Sequence, residues 1–177
     1  LKRNIGTHLA SGSVIASFDD DDLYAPVYLS AMMGEMVSKK AWAITLGSWY
    51  IFEAGKVGYV DPRGMDGTKW EIRGNMQGAR VQQKAIDRDD WLYGFGFSYV
   101  FSREKAEDHP FPDKNFGEDF DFFMKLKKRC MTALLFDERG ICLHTLHPRS
   151  TSYIEKSEAV GSEELLHMEV AQLGQCF

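Results

Sequence analysis

The chain has 177 residues, enough for one domain with a real core. Its composition is that of an ordinary globular protein, with 44% hydrophobic, 27% charged and 13% aromatic residues. A net charge of −5 without a dense basic patch argues against a general nucleic-acid binder, and no apolar run approaches the length of a membrane span.

Residues 2–11 read as the end of a helix that Gly12 stops. Residues 13–18 read as a short apolar strand, central and parallel because it lacks clean alternation. Four carboxylates, Asp19-Asp20-Asp21-Asp22, end it. Neighbouring carboxylates raise one another's cost of ionisation, and a hard cation such as Mg²⁺ or Mn²⁺ removes that cost through oxygen ligands. The end of a buried strand is also where open α/β sheets bind ligands. The run therefore reads as a metal site for a diphosphate-bearing substrate. Residues two apart on a strand share a face, so Asp19 and Asp21 are expected to point together, with Asp20 and Asp22 facing elsewhere. Acidic residues also cap helices, but one suffices for that.

Pro26 suits the first turn of a helix, along which Leu29, Met32, Met33, Met36 and Val37 repeat at helical spacing. Lys39 and Lys40 close it. Residues 42–52 read as a strand, 53–56 as a turn, and the residues through Val60 as the second arm of a hairpin. Residues 61–80 read as a long functional or mobile loop, and 81–92 as either a short helix or a loop. A glycine-containing segment, Tyr93-Gly94-Phe95-Gly96, leads into strand residues and a short helix from Ser102. A helix opens at Phe116-Gly117-Glu118-Asp119 and runs to about Arg129, with Phe120, Phe123, Met124 and Cys130 as its inner face. Residues 132–136 and 140–146 read as strands, and 157–173 as a final helix that begins at Ser157 or Ser162. Cys130, Cys142 and Cys176 show no CxxC spacing and read as reduced thiols.

The order of these features resembles the family-2 glycosyltransferases. Arg3-Asn4-Ile5-Gly6, Ala10, Gly12, Val14-Ile15, Asp19-Asp20-Asp21-Asp22 and Pro26 look like that family's R-N-x-G…A-x-G…I-x-x-x-D-x-D-D…P run. Phe116-Gly117-Glu118-Asp119-Phe120-Asp121 looks like its G-E-D segment, and His147-Pro148-Arg149-Ser150-Thr151-Ser152 like its late H-x-x-N/S-T-S segment. The resemblance covers residues up to about 152 of a single domain spanning 1–177 and leaves a helical tail over 153–177. It implies an α/β class of GT-A type, Rossmann-like, with a mixed sheet flanked by helices. The family's first βαβ units have no counterpart here, so the chain is expected to be the later part of a longer domain. No Q-x-x-R-W motif of processive members follows Asp119.

The resemblance implies metal-dependent transfer of a hexose-type sugar from a nucleotide diphosphate sugar to a saccharide or other hydroxyl acceptor, inverting and non-processive. Mn²⁺ or Mg²⁺ is the implied cofactor. Asp21 is the first choice of metal ligand and Asp19 the second, Asp19 having ribose contact as its other role; His147 completes the shell as a neutral imidazole. His144, inside the strand pattern, is the lesser candidate. Asp19, Asp20, Asp21, Arg3 and Asn4 form the donor side. Asp119 is the base for the acceptor hydroxyl, kept ionised by its helix N-terminus, with Glu118 as runner-up. Trp49, Tyr93 and Phe95 are candidates for an acceptor platform, with Gly94 letting the loop approach closely. Arg149 is a candidate phosphate contact. Two other classes stay open: a non-catalytic nucleotide- or carbohydrate-binding fragment, and metal-dependent phosphoryl transfer or hydrolysis. The compartment stays open between cytosol and secretory pathway.

Overall fold

The computed structural model describes residues 2–64, 69–72, 75–76, 79–80, 84–114, 116–129, 131–148, 150 and 157–171, with backbone alone over 69–86. In chain order the elements are α1 (Lys2–Leu9), β1 (Val14–Ala16), β2 (Leu23–Tyr24), α2 (Tyr28–Ser38), β3 (Ala43–Glu53), β4 (Lys56–Val60), β5 (Lys69–Ile72), β6 (Asn75–Met76), β7 (Ala79–Arg80), β8 (Lys84–Asp87) and α3 (Arg88–Trp91). They continue with β9 (Val100–Ser102), α4 (Arg103–Asp108), α5 (Glu118–Lys127), β10 (Thr132–Phe136), β11 (Cys142–Leu146), β12 (Glu158–Ala159) and α6 (Ser162–His167). The class is mixed α/β. Among the described residues, no helix is long and apolar enough to cross a membrane.

Contacts divide the chain into two compact units. The first holds Leu1–Asp19, Leu29–Leu46 and Tyr93–Leu135; the second holds Asp20–Tyr28, Gly47–Leu92 and Phe136–Phe177. In the first, β1 pairs antiparallel with β9, in register Ile15 opposite Phe101, and β9 pairs antiparallel with the start of β3. This corrects the expectation of a central parallel strand: β1 is three residues long, half-buried, and ends the strand order. Its lack of alternation reflects its shortness, not burial on both faces. The core of this unit is aromatic. Phe122, Phe123 and Leu126 of α5 are fully buried, packing with Tyr99, Phe101 and Phe111. The inner face of α5 therefore differs from the expected one: Phe120 and Met124 are only partly buried, and Cys130 lies outside the described residues.

In the second unit, β3 pairs parallel with β11 and antiparallel with β4, and β11 pairs antiparallel with β2, so the sheet is mixed. The β3–β4 hairpin forms as expected. Its two turn residues, Ala54 and Gly55, both have positive φ, 50° and 81°, which is the type I′ geometry that matches the twist of a hairpin. Gly55 adopts it at no steric cost; Ala54 does not. The expected long loop over 61–80 contains strands instead: β5 pairs antiparallel with β8 and β6 with β7. The tail helix starts at Ser162, the later of its two expected starts, because Glu158 and Ala159 pair with β4 as β12, and it ends earlier than expected, at His167. Tyr50 Oη donates to Glu164 Oε1 at 3.0 Å and fastens α6 to β3.

In α2, Tyr28, Met32 and Met36 are buried at four-residue spacing, while Leu29 and Val37 of the expected stripe are exposed. Pro26 stands in the turn just before the helix. Cys142 is a buried thiol, whereas Cys130 and Cys176 lie outside the described residues.

Candidate functional site

The acidic run is not a strand. β1 stops at Ala16, and Asp20 and Asp21 lie in a turn. The face-sharing expected for Asp19 and Asp21 has no strand to act through. What places Asp21 is the next element. β2 pairs with β11 in the register Leu23 opposite Leu143 and Tyr24 opposite Cys142. Running that antiparallel ladder back brings Asp22 beside His144, and Asp21 toward the end of β11 where His147 follows. Asp21 Oδ2 and His147 Nε2 stand 2.9 Å apart, across 126 positions of sequence. Both side chains are 38% exposed, so the pair faces solvent. The backbone at His147 is fixed by Ser150, whose Oγ accepts the His147 N–H at 3.0 Å and whose N–H donates to the His147 carbonyl at 2.9 Å.

The contact is a hydrogen bond between an imidazole nitrogen and a carboxylate oxygen, two groups that could also hold a divalent cation. Two ligands on adjacent corners of an octahedral shell with bonds of about 2.1 Å are about 3.0 Å apart. The observed 2.9 Å is an ordinary N–H···O hydrogen-bond length and lies close to that edge as well. Among the described residues, no three His, Cys, Asp or Glu side chains group closely enough to hold an ion. Asp19 and Asp20 are exposed and do not supply a third member. Asp21 and His147 are thus the two side chains here that could hold a cation, and a cation held by two protein ligands would keep waters in its other positions.

Asp22, expected to face elsewhere, turns inward and is nearly buried. Its carboxylate accepts His144 Nδ1–H at 2.9 Å to either oxygen, the Thr145 N–H at 2.8 Å and Tyr24 Oη–H at 3.3 Å. His144 is accordingly a buried structural partner. The signal for it is the alternation in β11, which puts Cys142, His144 and Leu146 on the buried face and His147 beyond them in solvent.

A second cluster forms in the other unit. Arg3 of α1 donates from Nε to Glu118 Oε1 at 3.2 Å, and its Nη2 lies 3.8 Å from Asp119 Oδ2. Asp119 Oδ1 accepts the Phe120 N–H at 2.8 Å. Burial pushes the Asp119 carboxyl above the usual range; the Phe120 N–H and the Arg3 guanidinium oppose this, and Glu118 adds to it. The expectation that the helix N-terminus decides the ionisation of Asp119 is corrected: desolvation is the larger effect. Glycine at position 96 leaves room for Asp119, because a β-carbon there would stand 2.5 Å from Asp119 Oδ2.

Arg3 and Asn4, expected on the donor side, have protein partners in the structure. Arg3 is paired with the two acidic residues, and the Asn4 amide bonds the backbone of Phe111: its Nδ2 donates to the Phe111 carbonyl at 2.8 Å and its Oδ1 accepts the Phe111 N–H at 2.9 Å. Both fasten α1 within its unit. The aromatic platform is corrected too. Trp49, in the second unit, is wholly buried and stacks on Trp91 at 5.8 Å between centroids. Tyr93 and Phe95, in the first unit, are buried. Tyr93 packs against Phe123, with Lys127 Nζ 4.9 Å from its ring centroid. None of the three offers an open ring face to a sugar. Gly94 is partly exposed. Arg149, Thr151 and Ser152 lie outside the described residues.

No protein-family model matches the chain, and no curated protein matches it either.

Proposed function

We propose that the protein transfers a sugar from a nucleoside diphosphate sugar to an acceptor hydroxyl with inversion, using Mn²⁺ or Mg²⁺. The observation that carries this reading is the Asp21–His147 pair, 2.9 Å apart. The resemblance in the sequence names the same two residues as ligands without knowledge of their spacing. Asp21 would supply an oxygen and His147 a ring nitrogen. The cation, when bound, would stabilise the negative charge that grows on the departing diphosphate.

The acceptor oxygen attacks the anomeric carbon while the bond from that carbon to the diphosphate oxygen breaks. By the resemblance, Asp119 would take the acceptor proton. A carboxyl raised by burial is a stronger base than an ordinary one, which suits proton removal near neutral pH. The Arg3 guanidinium opposes that rise, and Glu118 accepts a hydrogen bond from Arg3.

The test incubates the 177-residue chain with uridine and guanosine diphosphate sugars, Mn²⁺ and a panel of saccharide acceptors, and follows release of nucleoside diphosphate together with the glycoside. Loss of both products in Asp21→Ala and Asp119→Asn supports the reading. Undiminished transfer by either variant removes the role given to that residue. Release of inorganic phosphate without a glycoside would instead indicate phosphoryl transfer or hydrolysis.

A second reading, a nucleotide- or carbohydrate-binding module without catalysis, is favoured by one observation: Arg3 and Asn4 are committed to protein partners and not left open to a donor. Calorimetry with uridine diphosphate and Mn²⁺ separates it, because a module binds but forms no glycoside with any acceptor.

A further inference from the structure

We propose that Asp22 is a positioning residue: it sets the Asp21–His147 pair by locking the turn that carries Asp21 to the strand that leads into His147. The inference rests on the reading of Asp21 and His147 as cation ligands only in its metal arm. The pairing itself is a matter of geometry within one unit.

Asp22 is the residue directly after Asp21. One carboxylate gathers three donors, and two of them, the His144 ring and the Thr145 N–H, belong to β11. β11 ends at Leu146, immediately before His147. The β2–β11 ladder contains only two residue pairs, Cys142 with Tyr24 and Leu143 with Leu23, so on its own it is a short splice. Asp22 extends it by one further, side-chain rung. A carboxylate has no proton to give, so His144 must carry its proton on Nδ1. That fixes the ring's tautomer and orientation without drawing it into solvent. Beyond this rung, among the described residues, no strand pairing holds the Asp20–Asp21 turn. The 2.9 Å separation of Asp21 Oδ2 and His147 Nε2 therefore depends on the rung beside it. Tyr24, whose hydroxyl also reaches Asp22, ties the rung back to β2. Groups behind a ligand set govern affinity in this way, at roughly 10–100-fold per partner removed.

The experiment uses the full chain and three variants, Asp22→Ala, Asp22→Asn and Asp21→Ala. The first readout needs no metal. Ring ¹⁵N shifts of His147 report whether its proton is fixed on Nε2 against Asp21 or shared between tautomers. The expected result is a fixed Nε2 proton in the parent, lost in Asp21→Ala and equally in Asp22→Ala, although Asp22 does not touch His147. Asp22→Asn keeps an acceptor for the Thr145 N–H but faces His144 with a choice of donor or acceptor, and an intermediate His147 signature is expected. The second readout is Mn²⁺ affinity by calorimetry, expected to fall roughly 10–100-fold in Asp22→Ala. Circular dichroism and melting establish that each variant is folded. A residue with a purely structural role would lower the melting temperature and leave the His147 spectrum of the folded protein as it was; that result overturns the proposal. Should Asp22→Ala not fold, Asp22→Asn carries both readouts, and an unchanged His147 spectrum there overturns it too. Should the parent bind no Mn²⁺, the cation reading fails, and the ¹⁵N spectra still decide the positioning role.

Discussion

Gly96 and Asp119 are in direct contact. A β-carbon on Gly96 would stand 2.5 Å from Asp119 Oδ2 and 3.0 Å from Arg3 Nη2. The obstacle on one side is a short, partly buried carboxylate, so relief has to come from moving Asp119. Gly96→Ala is expected to lower the transfer rate on the order of 100-fold, the scale of a displacement of about 1 Å in a reacting group. The cost in stability is expected to be about 1–3 kcal/mol, as for overpacking. Steady-state rates together with urea unfolding check both.

The pH dependence of stability follows from the same carboxyl. Burial raises Asp119 in the folded protein. As pH rises from about 4, the ordinary carboxyl range, the unfolded chain gives up this proton first. The folded state then holds more protons than the unfolded one, and stability falls until pH has passed the folded-state value. Below the unfolded value the contribution is fully present. Asp119→Asn removes the dependence. Its melting temperature relative to the parent is expected to be higher at pH 7.5 than at pH 4, with transfer activity abolished. Melting curves at the two pH values check the sign; a relative melting temperature higher at pH 4 would contradict it.

Asp137 is a buried carboxyl of a different kind. It accepts the N–H groups of Arg139 at 3.0 Å, Ile141 at 2.9 Å and Cys142 at 3.2 Å, closing the loop between β10 and β11. Burial pushes it upward and these amides pull it down. Asp137→Ala leaves two buried donors without an acceptor and is expected to cost about 2–4 kcal/mol in urea unfolding. Asp137→Asn retains one acceptor oxygen and is expected to cost less. Neither change touches Asp119, so transfer by the folded fraction is expected to persist.

The hairpin turn offers a stabilising change. Ala54 sits at φ 50°, where its β-carbon crowds the following carbonyl. Ala54→Asn and Ala54→Gly are each expected to raise stability by about 0.5–1 kcal/mol. Gly55→Ala, at φ 81°, is expected to lower it by about 1 kcal/mol. Urea unfolding of the three variants gives the order.

Local rules made much of the fold legible. The Ala54-Gly55 turn, the Ser102 cap that accepts the Lys105 N–H, the start of α5 at Glu118 and the strands on either side of Asp137 each follow from residues adjacent in sequence. So did the partnership of Asp21 and His147, through the resemblance. Roles fixed by long-range pairing were harder to read. A three-residue strand carries too little pattern to show its direction, so β1 looked parallel. The orientation of the aspartates depended on a strand that ends before it reaches them. Asp22 gave no local sign that its partner lies in β11. Trp49, Tyr93 and Phe95 could not be placed inside or outside, because aromatic residues near strands serve both.

The division into units has a consequence for how the protein can be cut. Each unit is assembled from three separate stretches, and the chain passes between them five times, once within the run of aspartates, after Asp19. No truncation yields either unit intact, and β3 begins in one and finishes in the other. Neither half can be moved into another protein as a cassette. Recombination between relatives at any one point would mix both, so variation here has to proceed by substitution and loop change rather than by exchange of parts.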